Sequence, residues 1–456
     1  MQAQVMNAVL LIGHGGVEKL QFRTDVPIPE PKPDEVLIRV TAAGVNNTDI
    51  NTRLGWYSKS VTGATQADSV TTSNEDAGWS DTPITFPRIQ GADVCGQIVE
   101  VGTDVDTARI GQRVLIRNML RSYVDCRPFE CWTLGSECDG GFADYVVAPA
   151  REVYVVECDW SDAALAAVPC AYSTAENMLS RAGAGAERLL ITGASGGVGS
   201  AAIQLAKRRG AHVTALASND KTAAVQSLGA DVVLDRRDHP TDKIGQGQID
   251  VVVDLVGGGA VQSLLETLKR GGRYAIAGAI AGPLAEIDLR TIYLKDISVL
   301  GCTFQEDGVF ANLIRYIERG EIDAPEPKLY PLKKIAQAHN LKVAGSNPAP
   351  ATKIMALSQR LSAILLLRPV SQENVTRTQK IPNTYGHSRF FRTTRMRHGR
   401  RRCSLCVRGR ALSCEWLLAP IRGGFVSTLC QQKRVAIRAL WSVIGRDEWM
   451  NDGARP

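Results

Sequence analysis

Apolar and polar residues alternate in short runs over roughly the first 150 positions, as at 35–45 (EVLIRVTAAGV), 96–102 (GQIVEVG), 112–117 (QRVLIR) and 143–149 (ADYVVAP). A period of two, punctuated by Gly, Pro and Asp, predicts half-buried strands and an all-β domain. From about Ala163 the pattern changes. Apolar strands at 189–192, 213–216, 251–255 and 274–277 alternate with helical stretches at 199–209, 221–228 and 259–269, and this alternation predicts an α/β doubly wound parallel sheet. Residues 56–87 interrupt the β-rich part with a Ser/Thr/Gly/Asp-rich stretch that has no period. It is too long for a tight connection and is expected to be a surface loop or lid.

The junction at 189–200 (LLITGASGGVGS) joins an apolar strand, a glycine turn and an amphipathic helix. Gly196 lets the backbone approach a pyrophosphate, and Gly199 lets the helix pack against the strand. The helix N-terminus offers N–H groups and a partial positive charge. Ala194 stands where a strict GxGxxG has its first glycine. Ala194, Ser195, Gly196, Gly197, Val198 and Gly199 are therefore the expected dinucleotide cradle. The alternative is an ordinary glycine-rich turn, against which the full strand-turn-helix-strand context argues.

Further stretches lie in order along the chain: GVNNTDI (44–50), RIQGADVCGQIVEVG (88–102), GGFADYVV (140–147), VPCAYSTAENML (168–179) and DVVVDLVGG (250–258). Together with ASGGVG, they give residues 1 to about 342 a resemblance to the medium-chain dehydrogenase/reductase superfamily, in its zinc-free quinone-oxidoreductase-like branch. The resemblance implies a GroES-like partial barrel over 1–160 with the insert at 56–87, a Rossmann NADP-binding domain over 161–300, and a return to the first domain over 301–342. It implies an NADPH-dependent oxidoreductase that transfers hydride to a quinone or an α,β-unsaturated carbonyl. An alcohol or aldehyde dehydrogenase of the same superfamily is the alternative. From another class, the chain could be a non-catalytic NADPH-binding protein, or a nucleic-acid binder acting through its tail. Dimers are usual in the family, so a homodimer is expected.

Site roles follow from the same resemblance. Asn46 in GVNNTD and Tyr57 in RLGWY match residues that zinc-free reductases carry. An amide and a phenol can both donate to a substrate oxygen, and the phenol can pass it a proton. Against this, Asn46 could cap a turn and Tyr57 could pack under the insert. Thr174 is expected beside the nicotinamide, or else as an N-cap for a helix at Ala175. Ser218, 19 residues beyond Gly199, falls at the end of the second Rossmann strand, where an acid would select NAD. A neutral serine followed by Lys221 tolerates a 2′-phosphate, although Asp220 is close and Lys221 could be a solvated helix residue.

No catalytic zinc is expected. Zinc-dependent relatives carry Cys at the first ligand position and a His-Glu pair in the second motif, where this chain has Asn46 and Ala92-Asp93. Only Cys170 matches a ligand, and one thiolate does not make a three-ligand site. Cys126, Cys131 and Cys138 lie where a structural zinc lobe would be, but C-x4-C-x6-C has no C-x2-C pair, so free thiols are expected.

The tail is a different kind of sequence. Residues 346–456 carry 20 Lys and Arg against 5 Asp and Glu, so the chain is near −9 before them and near +15 within them. The resemblance fails after HNLK, and Gly345-Ser346-Asn347-Pro348 can be encoded by GGTTCGAATCC, which looks like a transfer-RNA T-arm read as protein. The leading expectation is that 343–456 is not a folded domain. The competing readings are a basic nucleic-acid arm at 395–402 (RMRHGRRR) and a metal knuckle from Cys403, Cys406, Cys414 and Cys430. Losing the family's closing strand would expose a sheet edge unless residues 352–357 substitute for it. Residues 1–16 carry no cationic start and no segment approaches the roughly 20 apolar residues of a membrane span. A cytoplasmic protein without membrane partners is expected.

Overall fold

The period-two runs become strands because each has one face to bury. A computed structural model of the chain describes residues 4–65, 74–344, 353–357, 400–407 and 410–417, and divides into two units, 1–366 and 367–456. In the first unit β1 (Val5–Leu11) pairs antiparallel with β2 (Leu20–Pro27), and β3 (Glu35–Val45) runs into α1 (Asn47–Leu54). Then β4 (Arg88–Ile89) joins β1, and β5 (Asp93–Val101), β6 (Arg113–Ile116), β7 (Met119–Leu120), β8 (Trp132–Thr133), β9 (Tyr145–Pro149) and β10 (Val153–Val155) complete the β-rich half. β3 is its spine, antiparallel to β5 along one edge and to β9 along the first half of the other. Val36, Ile38 and Val40 pack with Ile98, Val114 and Phe142, each such burial worth about 1.5–3 kcal/mol. α1 starts and stops by sequence. Asn46 caps it in a box with Asp49, and Gly55 at φ +68° ends it in the left-handed region.

The second half is the doubly wound sheet. After α2 (Asp162–Leu165) and α3 (Pro169–Arg181) come β11 (Arg188–Ile191), α4 (Gly197–Arg208), β12 (His212–Ala217), α5 (Thr222–Ser227) and β13 (Val232–Asp235). They are followed by α6 (Pro240–Ile244), β14 (Ile249–Asp254), α7 (Val261–Thr267), β15 (Leu268–Ile276), α8 (Leu289–Tyr293) and β16 (Ser298–Gly301). The six parallel strands lie in the order β13-β12-β11-β14-β15-β16. Alternate residues serve opposite layers. Leu189, Ile191, Val213 and Val251 pack with α3 and α4, whereas Leu190, Val252 and Leu216 pack with Leu264 and Leu265 of α7. The helical pattern read to Lys269 stops at Thr267, because Leu268 pairs with Ile249 in the sheet and opens β15.

α9 (Asp307–Glu318) ties the halves together. Asp307 at its first position receives Arg121 at 2.7 Å, Arg151 at 3.3 Å and Arg117 at 3.4 Å, all from the β-rich half. Burial works against the Asp307 carboxylate, but the charges of Arg121 and Arg117 hold it below the usual range. Then β17 (Pro327–Pro331), α10 (Ile335–Ala344) and β18 (Lys353–Leu357) return to the first sheet. β18 lies between β3 and β17, with Ile354 opposite Val45 and Met355 opposite both Gly44 and Leu329. Residues 353–357, within the stretch 352–357 named as a substitute for the closing strand, thus pair with backbone groups that β3 and β17 would otherwise leave open.

In the second unit, β19 (Arg400–Val407) and β20 (Arg410–Leu417) form an antiparallel hairpin, with Cys403 opposite Cys414 and Val407 opposite Arg410. The tail's sequence gave no usable alternation, and this pairing was not foreseen from it. Residues 395–399 of the basic arm and Cys430 lie outside the described residues.

Candidate cofactor and active site

At the end of β11 the chain turns through Gly193, at φ +57°, into α4. A Cβ on Gly199 would lie 2.3 Å from the Gly193 carbonyl oxygen and 2.7 Å from Ala194 Cα, so only glycine lets the helix press this closely on the turn. Ala194 is buried in the core and its N–H bonds the Leu216 carbonyl at 3.2 Å, so a methyl is tolerated where the strict motif has glycine. Gly196, Gly197 and Val198 are half-exposed. The first N–H groups of α4 have no acceptor within the helix. Ser195 Oγ is buried, with the residue 4% exposed, and has no hydrogen-bond partner among the described residues. An unpaired buried hydroxyl costs about 1–3 kcal/mol until something bonds it. Donors at a helix N-terminus beside an orphaned hydroxyl fit an anionic pyrophosphate, and this turn sits at the central strand of the sheet, at the carboxyl ends where such ligands bind.

Beyond β12, Ser218 precedes a single 3-10 turn (Asn219–Lys221). The Lys221 side chain is 15% exposed and its Nζ lies 3.3 Å from Asp220, so it is packed down rather than a solvated helix residue. The Ser218 hydroxyl and, more weakly, Lys221 hold the Asp220 carboxylate below its ordinary range. A cavity of about 440 Å³ opens here, lined by Asn219, Leu234, Asp235, Arg237 and Lys243 among others.

Asn46 precedes α1, and Tyr57, just beyond its end, reaches back to Thr48 in its first turn. The Asn46 backbone N–H donates to Asp49 at 2.7 Å, and its side-chain amide donates to Asp93. Tyr57 donates to Thr48 Oγ1 at 3.2 Å and lies edge-on to Trp56 and to Trp79 of the insert, at centroid distances of 5.9 and 4.7 Å. Burial, reinforced by the charges of Cys170 and Asp49, pushes the phenol well above its ordinary pKa. It stays protonated and able to donate. Asn46 thus caps a helix and Tyr57 packs against the insert. The described part of the insert is docked: Ala77 and Ile84 are buried, Ser80 bonds Glu137 and Cys131, and Thr65 N–H meets the Ile280 carbonyl at 3.2 Å.

Thr174 is the sixth residue of α3, which begins at Pro169, so it does not cap a helix at Ala175. Its neighbours Ser173 and Asn177 bond Gln305 and the Cys302 carbonyl, beyond β16. Sequence reasoning missed a buried network: Thr192 donates to Asp254 at 2.5 Å, Tyr274 donates to the same carboxylate, and Asp254 accepts Val256 N–H at 2.9 Å. It fixes the carboxyl ends of β11, β14 and β15 beside the glycine turn. The polar Asp254 ending an apolar run was its only signal.

Among the described residues no group of three or more His, Cys, Asp or Glu side chains could hold a metal ion. The three lobe thiols find separate partners: Cys126 lies 3.2 Å from Arg151, Cys131 3.8 Å from Met119 and Cys138 4.0 Å from the Thr133 carbonyl. Burial pushes the Cys131 and Cys138 thiols up to about 11 and about 12.

Known proteins agree with this architecture. The alcohol dehydrogenase GroES-like domain matches residues 32–158, and the zinc-binding dehydrogenase domain matches 197–319. The chain belongs to the medium-chain dehydrogenase/reductase superfamily. It is 31% identical over 352 residues to quinone oxidoreductase of Lama guanicoe, covering 74% of this chain and 93% of that protein. It is 28% identical over 340 residues to the chloroplastic NADPH-dependent alkenal/one oxidoreductase of Arabidopsis thaliana, covering 73% and 75%. A solved structure from Sinorhizobium meliloti 1021, assigned as an alcohol dehydrogenase, superposes with a TM-score of 0.69 at 41% identity, covering 78% of this chain and 97% of that one. Within the superfamily the chain is an oxidoreductase of the pyridine-nucleotide-dependent kind.

Proposed function

We propose that the chain is an NADPH-dependent, metal-free reductase of quinones or α,β-unsaturated carbonyls. The carrying observation is that an oriented amide, Asn46, stands where zinc relatives have a metal ligand, with a neutral phenol, Tyr57, bonded to Thr48 in the helix that Asn46 caps. Pyrophosphate would lie on Ser195, Gly196, Gly197 and Val198, with Gly199 and Ala194 shaping the turn and Thr174 facing the nicotinamide. When bound, the nicotinamide supplies a hydride. Asn46 donates a hydrogen bond to the substrate oxygen, which gains negative charge as hydride arrives. Tyr57, kept neutral by burial, gives that oxygen or its conjugated carbon a proton and recovers one from water once the product has left. Trp56 and Trp79 wall the site against water. Ser218 leaves room for a 2′-phosphate, and Lys221 supplies a cation for it. For zinc the donor set is unfit: the Asn46 amide is turned to Asp93, Ala92 has no donor, and Cys170 alone offers sulfur.

The partner protein in this reading is a second copy. β16 ends its sheet among the described residues; Val299 on it, and Leu289, Tyr293 and Leu294 on or just after the α8 that precedes it, are exposed. A two-fold pairing of that edge would cover them. Cys95, Cys126, Cys131, Cys138, Cys158, Cys170 and Cys302 are free thiols, which suits a reducing cytoplasm. Among the described residues, no helix is long and apolar enough to cross a membrane.

A steady-state screen of NADPH oxidation against quinones, enones and aldehydes tests the proposal. Turnover of quinones or enones is expected, and falls on Asn46→Ala and on Tyr57→Phe. The alcohol or aldehyde dehydrogenase reading, favoured by the 41% identical structure, would be established instead by turnover of alcohols or aldehydes alone.

A further inference from the structure

One buried carboxylate at the site has no part in these steps. Asp93 opens β5, is fully buried, and lies opposite Gly44 in the β3–β5 ladder. Its two oxygens serve different elements. Oδ2 accepts from the Asn46 amide, and Oδ1 accepts the backbone N–H of Cys170 at 2.5 Å, in the first turn of α3. A carboxylate there is favoured by the positive end of the helix. The neighbouring backbone is cut to fit it: a Cβ on Gly44 would lie 2.9 Å from both Cβ and Oδ2 of Asp93, and 2.5 Å from the Ala166 carbonyl oxygen.

The shape of an amide does not say which end is which. Rotating the Asn46 side chain by half a turn exchanges a donor for an acceptor with little change in packing. The acceptor form would repel the negative charge that develops on a substrate oxygen. A carboxylate only accepts, so it draws the amide nitrogen toward it, the same rotamer in which the Asn46 oxygen accepts the Asp49 backbone N–H in the capping box.

We propose that Asp93 is a positioning residue: it fixes the orientation of the Asn46 amide and ties that amide to the start of α3, the helix that carries Thr174. The proposal rests on the reading of Asn46 as the donor to the substrate oxygen. Asp93 acts through Asn46 and touches no substrate.

A double-mutant cycle tests it. Asp93→Asn keeps the size and removes the acceptor-only character. It is expected to lower kcat about a hundredfold, the scale of a misplaced reacting group. The Kd for NADPH, titrated by fluorescence, is expected to stay within about twofold, since the phosphate turn is built from other residues. In the Asn46→Ala background the same change is expected to alter kcat by less than about twofold, because the group it orients is gone. A merely structural Asp93 would cost as much in both backgrounds, and that result, or an unchanged kcat in Asp93→Asn, overturns the proposal. Wild-type kcat in Asn46→Ala alone refutes the reading of Asn46 instead. Should Asp93→Asn not accumulate as folded protein, Asp93→Glu carries the same cycle. It moves the carboxylate by one methylene, and its kcat loss is likewise expected to vanish in the Asn46→Ala background.

Discussion

Gly199→Ala probes the cofactor turn most directly. The added methyl would sit 2.3 Å from the Gly193 oxygen and 2.8 Å from the Gly193 carbonyl carbon, where about 3.0 Å is the floor, so the turn must retreat by roughly 0.7 Å. It has little room to retreat, because the Gly193 carbonyl accepts Gly196 N–H at 2.9 Å and Ala194 N–H is bound to β12. Overpacking of this kind costs about 1–3 kcal/mol. Moving the turn also draws N–H donors off the phosphates, and one such charge-assisted bond is worth about 1.5–3 kcal/mol. At about 1.4 kcal/mol per factor of ten, NADPH should bind about ten- to a hundredfold more weakly. The assay is a fluorescence titration with NADPH beside a thermal melt of the free protein. Gly185→Ala is the control, since a Cβ there meets nothing within 4 Å, and it should stay within about 0.5 kcal/mol of wild type. Wild-type affinity together with wild-type Tm in Gly199→Ala would refute the packing argument.

Ser218→Asp should shift preference toward NADH by placing a carboxylate beside the 2′-phosphate; tighter wild-type binding of NADH than of NADPH would reverse the cofactor assignment. Activity should survive prolonged chelation, with well under one zinc per chain by elemental analysis, and loss of stoichiometric zinc together with activity would favour the alcohol dehydrogenase reading. Asp307 has its pKa lowered in the folded state, so its contribution is present above the unfolded carboxyl pKa of about 3.9 and is lost as pH falls through the folded value. The Tm gap between wild type and Asp307→Asn should therefore be open at pH 7 and closed in strong acid; a gap that does not change with pH contradicts the clasp. Trimming after Leu357 should leave NADPH affinity and Tm near wild type, whereas trimming at Gly345 removes β18 and should lower Tm and promote aggregation. Loss of a tight, salt-sensitive nucleic-acid affinity on either cut would instead make the basic arm functional.

Much of this was legible from local pattern. The glycine turn, the alternation around it and the capping capacity of Asn46 depend on neighbours in sequence, and local pattern reports neighbours. β15 was misplaced at its start because Leu268 is recruited to the sheet by Ile249, a distant partner that no local window contains. Thr174 looked like a cap because its hydroxyl is a good one, yet Pro169 had already opened the helix. Asp93 was noticed only as a missing metal ligand. Its bonds to Asn46 and Cys170 join three separated stretches, and the Thr192–Asp254–Tyr274 network likewise exists only once three strands lie side by side.

Because β18 is coded after everything it pairs with, the order of synthesis sets the order in which the halves can be finished. The parallel sheet is contiguous and has its last strand once Gly301 is made, but the β-rich sheet must wait 56 residues more, for Leu357. At about 5–20 residues per second that is a delay of roughly 3–11 s on the ribosome. Throughout it the nucleotide-binding half can be complete while its companion holds an open seam between residues from opposite ends of the chain. The same pairing gives the β-rich half the long sequence separations that slow folding, and makes the arrival of five late residues the event that seals it.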